Sequence, residues 1–510
     1  MLAAPLAQFG LEEFMVGLLP GANPESVPLW ADAIDVVFDG AAITPTQSTR
    51  TITSSSGLFD SQGGNFDAVA GLFEAATTPV SLVTVSADEV TGIHQQIQSD
   101  GTRLIVWGTD TNLYFFNDAT VVTATRAAGV YTGNLVSRDV YWSFAQWGDW
   151  VIATNGVDVP QVLKGPVAVN FVAVANFPCT SAEVVRTLGP HAVFFNTTGT
   201  YAPTATPAAG NQIVWSKRDD IEAYDPSVAG NETAGELTVR DAMGGFTAVE
   251  QLGLNLIAYT EHGAHVISLD PTFLIGSQRG AVGLRVGSKN AVAVYSDLHY
   301  TISEAGIFAT DGLVIVPVGH PKLGDWLKRN IDWGARSRIA AMSNMRQVSI
   351  KWVLPQTSGL VVLSLHALNQ TLSFESRQFM VSARGMGRFA VVVGTSIGGI
   401  FELSPSSAGT TPELTTKPLA FSGRDAYSFL DLLVFRHEAA SGTVQWRYGN
   451  TQSSCENAGW TTLGSFASNE TELVMMYETV YVQFRLLLST GVDWRLSGMD
   501  VIGKKAGRRY

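Results

Sequence analysis

Cysteine is scarce in this chain, which has only Cys179 and Cys455 among 510 residues. They lie far apart and neither belongs to a Cys-x-x-Cys pair, which excludes a disulfide framework and argues against a cysteine-based zinc site. This composition is typical of a protein assembled in a reducing cytosol. Long apolar runs are also missing, because no stretch approaches the ~18 uninterrupted apolar residues of a membrane span. Glu12 and Glu13 interrupt the apolar N-terminus, which lacks a basic segment, so we expect no signal peptide.

Charge is sparse as well, at 15% of residues against roughly 25% in a typical soluble domain. Acidic residues outnumber basic ones by 45 to 32, which gives a net charge of −13. Tight nucleic-acid binding needs clustered Lys and Arg against phosphate, so this balance argues against a protein that grips DNA. A net acidic chain still allows DNA to slide past without being held. Hydrophobic residues, at 46%, suffice for packed interiors, and the length predicts two or more domains.

Helix patterns are rare, whereas strand–turn–strand patterns recur. In WGDWVIATNGVDVPQVL (147–163), Asn155 and Gly156 predict a tight type I′ turn between two apolar strands. About seven such units follow one another at intervals of roughly 40 to 60 residues, a spacing typical of propellers and other arrays. The other six lie at 102–116, 191–216, 254–268, 298–316, 347–366 and 389–403.

These units predict an all-β protein with a β-propeller-like ring of about six or seven hairpin units over residues 61–412. An open stack or a pair of sandwiches is the alternative. Five or six further strands predict a C-terminal β-sandwich-like domain over residues 413–510. Residues 1–60 hold no clear repeat and predict an N-terminal arm with a strand.

One short helix is predicted within 320–338. Trp326, Leu327 and Ile331 follow near-helical spacing there. Gly334 is expected to end this helix, which we interpret as a surface element among strands.

No group of residues supports a reaction, so we predict no enzyme, no cofactor and no metal site. Glu261, His262 and His265 lie around a predicted hairpin tip, whereas the zincin motif requires a helix. The acidic run RDDIEAYD (218–225) contains paired carboxylates of the kind that glycosidases use, but such a run in a loop is usually solvated.

Seven segments, taken in order, share features with one known family. They are LPGANPESVPLWADAIDVVFDGA (19–41), WSFAQWGDWVIATNGVDVPQVLK (142–164), IVWSKRDDIEAYDPS (213–227), LGLNLIAYTEHGAHVISL (252–269), HYTISEAGIFATDG (299–312), GHPKLGDWLKRNI (319–331) and VQFRLLLSTGVDWRLSGMDVIG (482–503). Through these segments the chain resembles the tail nozzle proteins of short-tailed bacteriophages, also called tail hub or tail tubular protein B.

The resemblance implies a structural virion protein that forms a six-fold ring, a homohexamer, in the phage tail. It also implies a phage tail adaptor protein above the ring and tail fibre or spike proteins at its side. Genomic DNA would pass through the lumen without specific binding during ejection. The protein would be assembled in the bacterial host cytoplasm and reside in the virion.

Two other functions remain open. The first is a propeller-type receptor-binding protein that binds or cleaves glycan, for which Asp219, Asp220 and Tyr224 are the candidate residues. The second is a minor structural tail protein of a long-tailed phage.

Two basic stretches are predicted to make assembly contacts. Trp326, Lys328 and Arg329 combine an aromatic ring with cations, a composition enriched at interface hot spots. The alternative is that Trp326 only caps the propeller. The C-terminal GKKAGRRY (503–510) is expected to dock on an acidic neighbouring surface, or else to be a solvated chain end. Its basic residues are Lys504, Lys505, Arg508 and Arg509.

Overall fold

The computed structural model describes a large part of the chain, in which strands dominate. The described residues are 5–9, 30–34, 36–38, 43–45, 49–51, 89–117, 121–123, 131–132, 141–165, 170–207, 210–240, 242, 244–270, 274–319, 323–345, 348–357, 359–367, 370, 372–375, 381–383, 392–394, 400–403, 413–416, 418–420, 426–438, 441–467, 470–488 and 495–508. The helices among them are few and short, so the predicted all-β class is confirmed. No described helix is long and apolar enough to cross a membrane.

Seven antiparallel four-stranded units follow one another along the chain, where the sequence predicted hairpins. Six are separate sheets, and unit 6 is one end of a nine-stranded sheet. The strands are, in unit 1, Gly92–Ile97, Arg103–Gly108, Leu113–Phe116 and Val121–Thr123; in unit 2, Ser143–Trp147, Trp150–Thr154, Gln161–Leu163 and Val172–Ala173; in unit 3, Ser181–Leu188, His191–Thr198, Gln212–Trp215 and Gly235–Thr238; in unit 4, Ala248–Leu252, Asn255–Tyr259, Gly263–Asp270 and Leu274–Val282; in unit 5, Ala293–Tyr295, Leu298–Ser303, Gly306–Thr310 and Ile315–Val318; in unit 6, Ala340–Asn344, Ser349–Gln356, Gly359–His366 and Leu372–Glu375; in unit 7, Val381–Ala383, Val392–Gly394, Ile400–Leu403 and Thr49–Thr51.

Unit 1 is covered on both faces, which explains why its second strand is an unbroken apolar run. Ile105 and Trp107 pack in one cluster with Val381 of unit 7. Leu104 and Val106, on the opposite face, pack in a second cluster with residues of unit 2. Successive side chains of a strand point to opposite faces, so a strand between two neighbours must be apolar at every position.

The other units pack in the same way. Mixed apolar clusters join units 2 and 3, units 3 and 4, and units 4, 5 and 6. Units 6 and 7 are joined by Ser382, whose Oγ donates to the carbonyl oxygen of Ala341 at 2.9 Å. Unit 7 also contacts unit 1, through the cluster that contains Val381 and Ile105.

The N-terminal segment completes unit 7. Thr49–Thr51 pairs with the strand Ile400–Leu403 as the fourth strand of that sheet. Two distant parts of the chain therefore share one unit, and this pairing ties the start of the chain to the end of the repeats.

Two further strand groups involve both ends of the chain. A six-stranded sheet contains Pro5–Phe9, Val36–Phe38, Ile43–Pro45, Ala426–Glu438, Glu470–Thr479 and Arg495–Arg508. The nine-stranded sheet continues from unit 6 through Trp30–Ile34, Glu413–Thr416, Tyr481–Leu488, Gly442–Gly449 and Thr461–Phe466. Strands of the first 60 residues thus extend sheets formed by later segments, while the bounds of the three domains and the sandwich stay predictions. A short hairpin, Thr200–Tyr201 with Thr206–Pro207, projects from unit 3.

The turn expected at Asn155 and Gly156 has a different geometry. The tight turn of this region lies at Gly148 and Asp149, whereas residues 155–160 form a longer connection. Of the pair, only Gly156 has a positive φ, at 84°. The Oδ1 of Asn155 instead accepts hydrogen bonds from the backbone N–H groups of Val157 and Asp158. The asparagine therefore stabilises an open loop through its side chain and does not adopt the left-handed backbone of a type I′ turn.

The helical region is also divided differently from the prediction. The α-helix Leu323–Asn330 (α1) ends before Gly334, and a separate 3-10 helix follows at Trp333–Arg338. Asp332 caps this second helix, because its side chain accepts from the Gly334 N–H. A further short α-helix, Gln452–Glu456 (α2), was not predicted and begins with a capping box at Thr451.

Candidate functional site

A cavity of about 680 Å³ lies where the first strands of the units meet. Every unit contributes to its wall, through residues such as His94, Ser143, Arg186, Glu250, Ala293, Ser343 and Ser382. We call it the axial cavity. Its wall is mixed, since apolar side chains from units 1, 2, 5 and 7 alternate with polar ones.

An ion pair crosses the wall of the axial cavity. Arg186 of unit 3 pairs with Glu250 of unit 4 through Nη2 and Oε1. The Nη1 of Arg186 donates to the Oγ of Ser143 at 2.8 Å and to the carbonyl oxygen of Val185 at 2.8 Å. One guanidinium group therefore connects three consecutive units. Because both charges have lost part of their hydration, these hydrogen bonds are needed to hold them there.

His94 of unit 1 lies in the same wall and is held as a neutral ring. The pKa of His94 is lowered to about 4, mainly because burial disfavours the charged ring; the hydrogen bond with Gln96 raises the pKa and the positive charge of Arg186 lowers it. The Nε2 of His94 lies 3.3 Å from the Oε1 of Gln96, and its ring stacks on Phe144 with a centroid distance of 6.3 Å.

Lys289 separates the axial cavity from a second cavity. It lies in the connection between units 4 and 5, but its Nζ donates to the carbonyl oxygens of Tyr141 and Glu183, at 3.3 and 3.2 Å. Tyr141 lies just before the first strand of unit 2, and Glu183 lies in the first strand of unit 3. The Lys289 side chain therefore connects the segment between units 4 and 5 with units 2 and 3. The second cavity, of about 560 Å³, is also lined by Lys289 and contains Glu183 and Glu261.

The residues that the sequence suggested for a metal do not converge. Glu261 is paired with Arg336 and, at 3.8 Å, with Arg285. His265 is buried inside the unit 4 sheet, whereas His262 is exposed at the hairpin tip. Within the described ranges, no group of three or more His, Cys, Asp or Glu side chains could hold a metal ion.

The candidate glycan residues lie outside both cavities. Asp219 is 74% exposed and has a positive φ of 57°. Asp220 uses Oδ1 to accept the backbone N–H of Glu222, which stabilises the local turn. The ring of Tyr224 is buried against Phe177 and Phe194 and offers no surface to a sugar.

Both cysteines are buried free thiols. Burial raises the pKa of Cys179 and of Cys455 to about 11, so neither is a reactive thiolate at neutral pH.

The predicted assembly helix has one buried and one exposed face. Leu323 and Leu327 are buried, and the ring of Trp326 is half-buried against the apolar cluster of units 4 to 6. Lys328 and Arg329 are exposed. The helix thus brings two cations to the surface, while Trp326 contributes to the packing beneath them.

The C-terminal basic stretch belongs to the last strand. Residues up to Arg508 lie in Arg495–Arg508, where Lys504 pairs with Phe429 and Lys505 with Ser428 in backbone register. Arg509 lies outside the described residues. The backbone of 504–508 is therefore part of a sheet and does not form a separate chain end, and the role of these residues in docking stays a prediction.

We expect Trp326→Ala to lower the free energy of unfolding by about 1–2 kcal/mol, less than for a fully buried aromatic ring because part of the side chain is already exposed to solvent. Urea unfolding followed by circular dichroism measures this. The double variant Lys328→Gln/Arg329→Gln is the matched control and should stay within about 0.5 kcal/mol of the parent. Equal losses in the two variants would show that Trp326 contributes no packing energy.

Comparisons with known proteins give only distant likenesses. No protein-family model and no curated protein matches the chain. Among solved structures it is similar to YCF48 from Cyanidioschyzon merolae, with a TM-score of 0.38 and 11% identity over 63% of this chain and 97% of that one. It is also similar to the computationally designed Ika8 protein, with a TM-score of 0.36 and 11% identity over 76% and 99% of the two chains. A glycoside hydrolase gives a TM-score of 0.26 and 9% identity over 81% of this chain and 98% of that one. Such low scores carry no argument about function.

Sequence reasoning missed the residues around the two cavities. His94, Arg186, Glu250 and Lys289 stand singly in or beside apolar strands, and no motif spacing connects them. The available signal is a charged residue at a strand position that is otherwise apolar, as with Arg186 in SAEVVRTL.

Proposed function

We propose that this chain is a structural virion protein that forms the nozzle or hub ring of a phage tail. The proposal rests on the resemblance of the seven sequence segments to tail nozzle proteins. The structural observation that carries it is the presence of exposed apolar side chains on the outer strands of two different sheets, because such patches mark interaction surfaces. Examples are Leu313 and Val316 of unit 5, and Val474 and Met476 of the strand Glu470–Thr479.

In this proposal the seven units form a closed seven-bladed propeller, with the six-stranded sheet and the extension of unit 6 as a sandwich beside it. Apolar clusters join units 1 to 6, a hydrogen bond of Ser382 joins units 6 and 7, and a further cluster joins unit 7 to unit 1. These contacts support the closed ring. A fourth strand donated to unit 7 by the N-terminal segment is consistent with it, since a closed ring removes exposed sheet edges.

DNA would pass between the copies and not through the propeller. The axial cavity of about 680 Å³ has room for only about 20 water molecules, far too little for a duplex. Lys289 also lines its wall. A lumen on the six-fold axis, lined by subunits of net charge −13, would offer few cations to hold phosphates, so the genome could slide.

Electron microscopy of the purified protein and of the virion that contains it tests the proposal. We expect six-fold rings, and labelled protein at the tail below the portal. A protein found at a receptor-binding fibre tip, or one that hydrolyses host polysaccharide and loses this activity in Asp220→Asn, would show that the glycan function is correct.

A further inference from the structure

One outer edge of the molecule combines apolar and basic side chains. Leu313, Val314 and Val316 are 53–59% exposed, at and beside the outer strand Ile315–Val318 of unit 5. Lys328 and Arg329 are exposed on α1. We call these five residues the basic edge.

The two parts of the basic edge lie on one side of unit 5. Helix α1 contacts the strand Gly306–Thr310, which pairs directly with Ile315–Val318. Gly324 of the helix lies against the backbone of Ala305, next to the end of the sheet at which Val318 pairs with Ile307. The outer strand therefore runs from the turn that contains Leu313 and Val314 towards helix α1. Its four residues span about 13 Å.

A second outer edge combines apolar and acidic side chains. The strand Glu470–Thr479 is the last strand of the six-stranded sheet. Glu472, Val474, Met476 and Glu478 alternate along it and are all exposed, with exposed fractions of 62% for Val474 and 70% for Met476. We call these four residues the acidic edge. Glu478 lies four residues, or about 13 Å, from Val474.

We propose that, in the ring, the acidic edge of one copy packs against the basic edge of the next copy. This inference rests on the proposed function, since it concerns the contact that would build that ring. Each edge carries exposed apolar side chains, accompanied by Glu472 and Glu478 on one edge and by Lys328 and Arg329, one turn after the exposed Asp325, on the other.

A cyclic ring supports this choice of partner. Its interface must be heterologous, so two different surfaces of the same chain have to be complementary. Two identical acidic edges would repel each other, as would two basic ones, whereas an acidic edge on a basic edge steers and orients the subunits.

The contact is made by side chains and not by strand addition. Met476 has a positive φ of 47°, and the register of its strand shifts between Leu430 and Leu432 of the neighbouring strand. Such a bulge interrupts the regular ladder of an edge strand and disfavours pairing with another strand.

Charge reversal in the full-length protein tests the proposal. Glu472→Lys/Glu478→Lys and Lys328→Glu/Arg329→Glu should each weaken self-association by about tenfold or more, measured by sedimentation velocity over a range of concentrations. The chain that carries all four substitutions should recover association to within about threefold of the parent, because opposite charges again face each other. Association of the parent should weaken in high salt.

The matched control for Glu472→Lys/Glu478→Lys is Asp219→Lys/Asp297→Lys, which makes the same change in net charge at two other exposed positions. It should leave association unchanged, and circular dichroism should show that every variant is folded. Loss of association in both double variants without recovery in the fourfold variant would overturn the pairing of the edges. If the parent forms a ring and neither charge reversal weakens association, the inference is wrong and the proposed ring still stands. If the parent stays monomeric and is absent from tails, the proposed function is wrong as well.

Discussion

Trp352→Ala should lower the free energy of unfolding by about 3–5 kcal/mol, the range measured for fully buried aromatic residues. Trp352 is 0% exposed on the second strand of unit 6, in the apolar cluster that joins units 4, 5 and 6. Its Nε1 donates to the carbonyl oxygen of Ala291 at 3.3 Å. The substitution would open a cavity at the junction of three units and remove the donor from that carbonyl. Urea unfolding followed by circular dichroism gives the size of the loss.

Trp352→Phe provides a control that retains most of the buried area but not the N–H group. It should lower the free energy of unfolding less than Trp352→Ala does. The difference between the two variants gives the contribution of filling the cavity with an aromatic ring. If Trp352→Ala costs no more than Trp326→Ala, the junction of units 4 to 6 does not stabilise the protein as we infer.

The strands inside each unit were predictable because their signals are local. In 298–316, two apolar or alternating runs joined by a turn predicted a hairpin, and the structure has the strands Leu298–Ser303 and Gly306–Thr310 there and begins a third, Ile315–Val318. Apolar runs such as RLIVWG are typical of strands covered on both faces, although the pattern alone does not identify which neighbours cover them.

Long-range pairings were not predictable from one sequence. Nothing in Thr49–Thr51 indicates that it completes a sheet formed about 350 residues later, because three residues carry no register information of their own. The turn prediction at Asn155 was wrong for a different reason. Asn favours a type I′ turn because its backbone tolerates positive φ, but it also stabilises open loops through hydrogen bonds of its side chain. The residues around the axial cavity meet only through the packing of units, so their spacing in the sequence had no meaning before the fold was known.

Acid should destabilise the protein through His94. The pKa of His94 is about 4 in the folded chain, against an ordinary value of 6.5, mainly because burial disfavours the charged ring. The unfolded chain therefore binds more protons than the folded chain between pH 6.5 and 4, so stability falls as the pH falls through this window. The linkage amounts to at most about 3 kcal/mol, at 1.36 kcal/mol for each unit of pKa difference.

His94→Gln isolates this contribution, because glutamine does not titrate and the carboxylates remain the same in both proteins. Stability measured by urea unfolding at pH 7 and pH 4 should fall by about 3 kcal/mol less in the variant than in the parent. Protonated His94 would face the guanidinium of Arg186 across the axial cavity, where Glu250 is already engaged. The parent should therefore lose the packing of units 1 to 4 first, which amide hydrogen exchange at pH 4.5 can locate. Identical pH profiles for the two proteins would mean that the His94 ring remains hydrated in the folded chain and that the axial cavity is open to water.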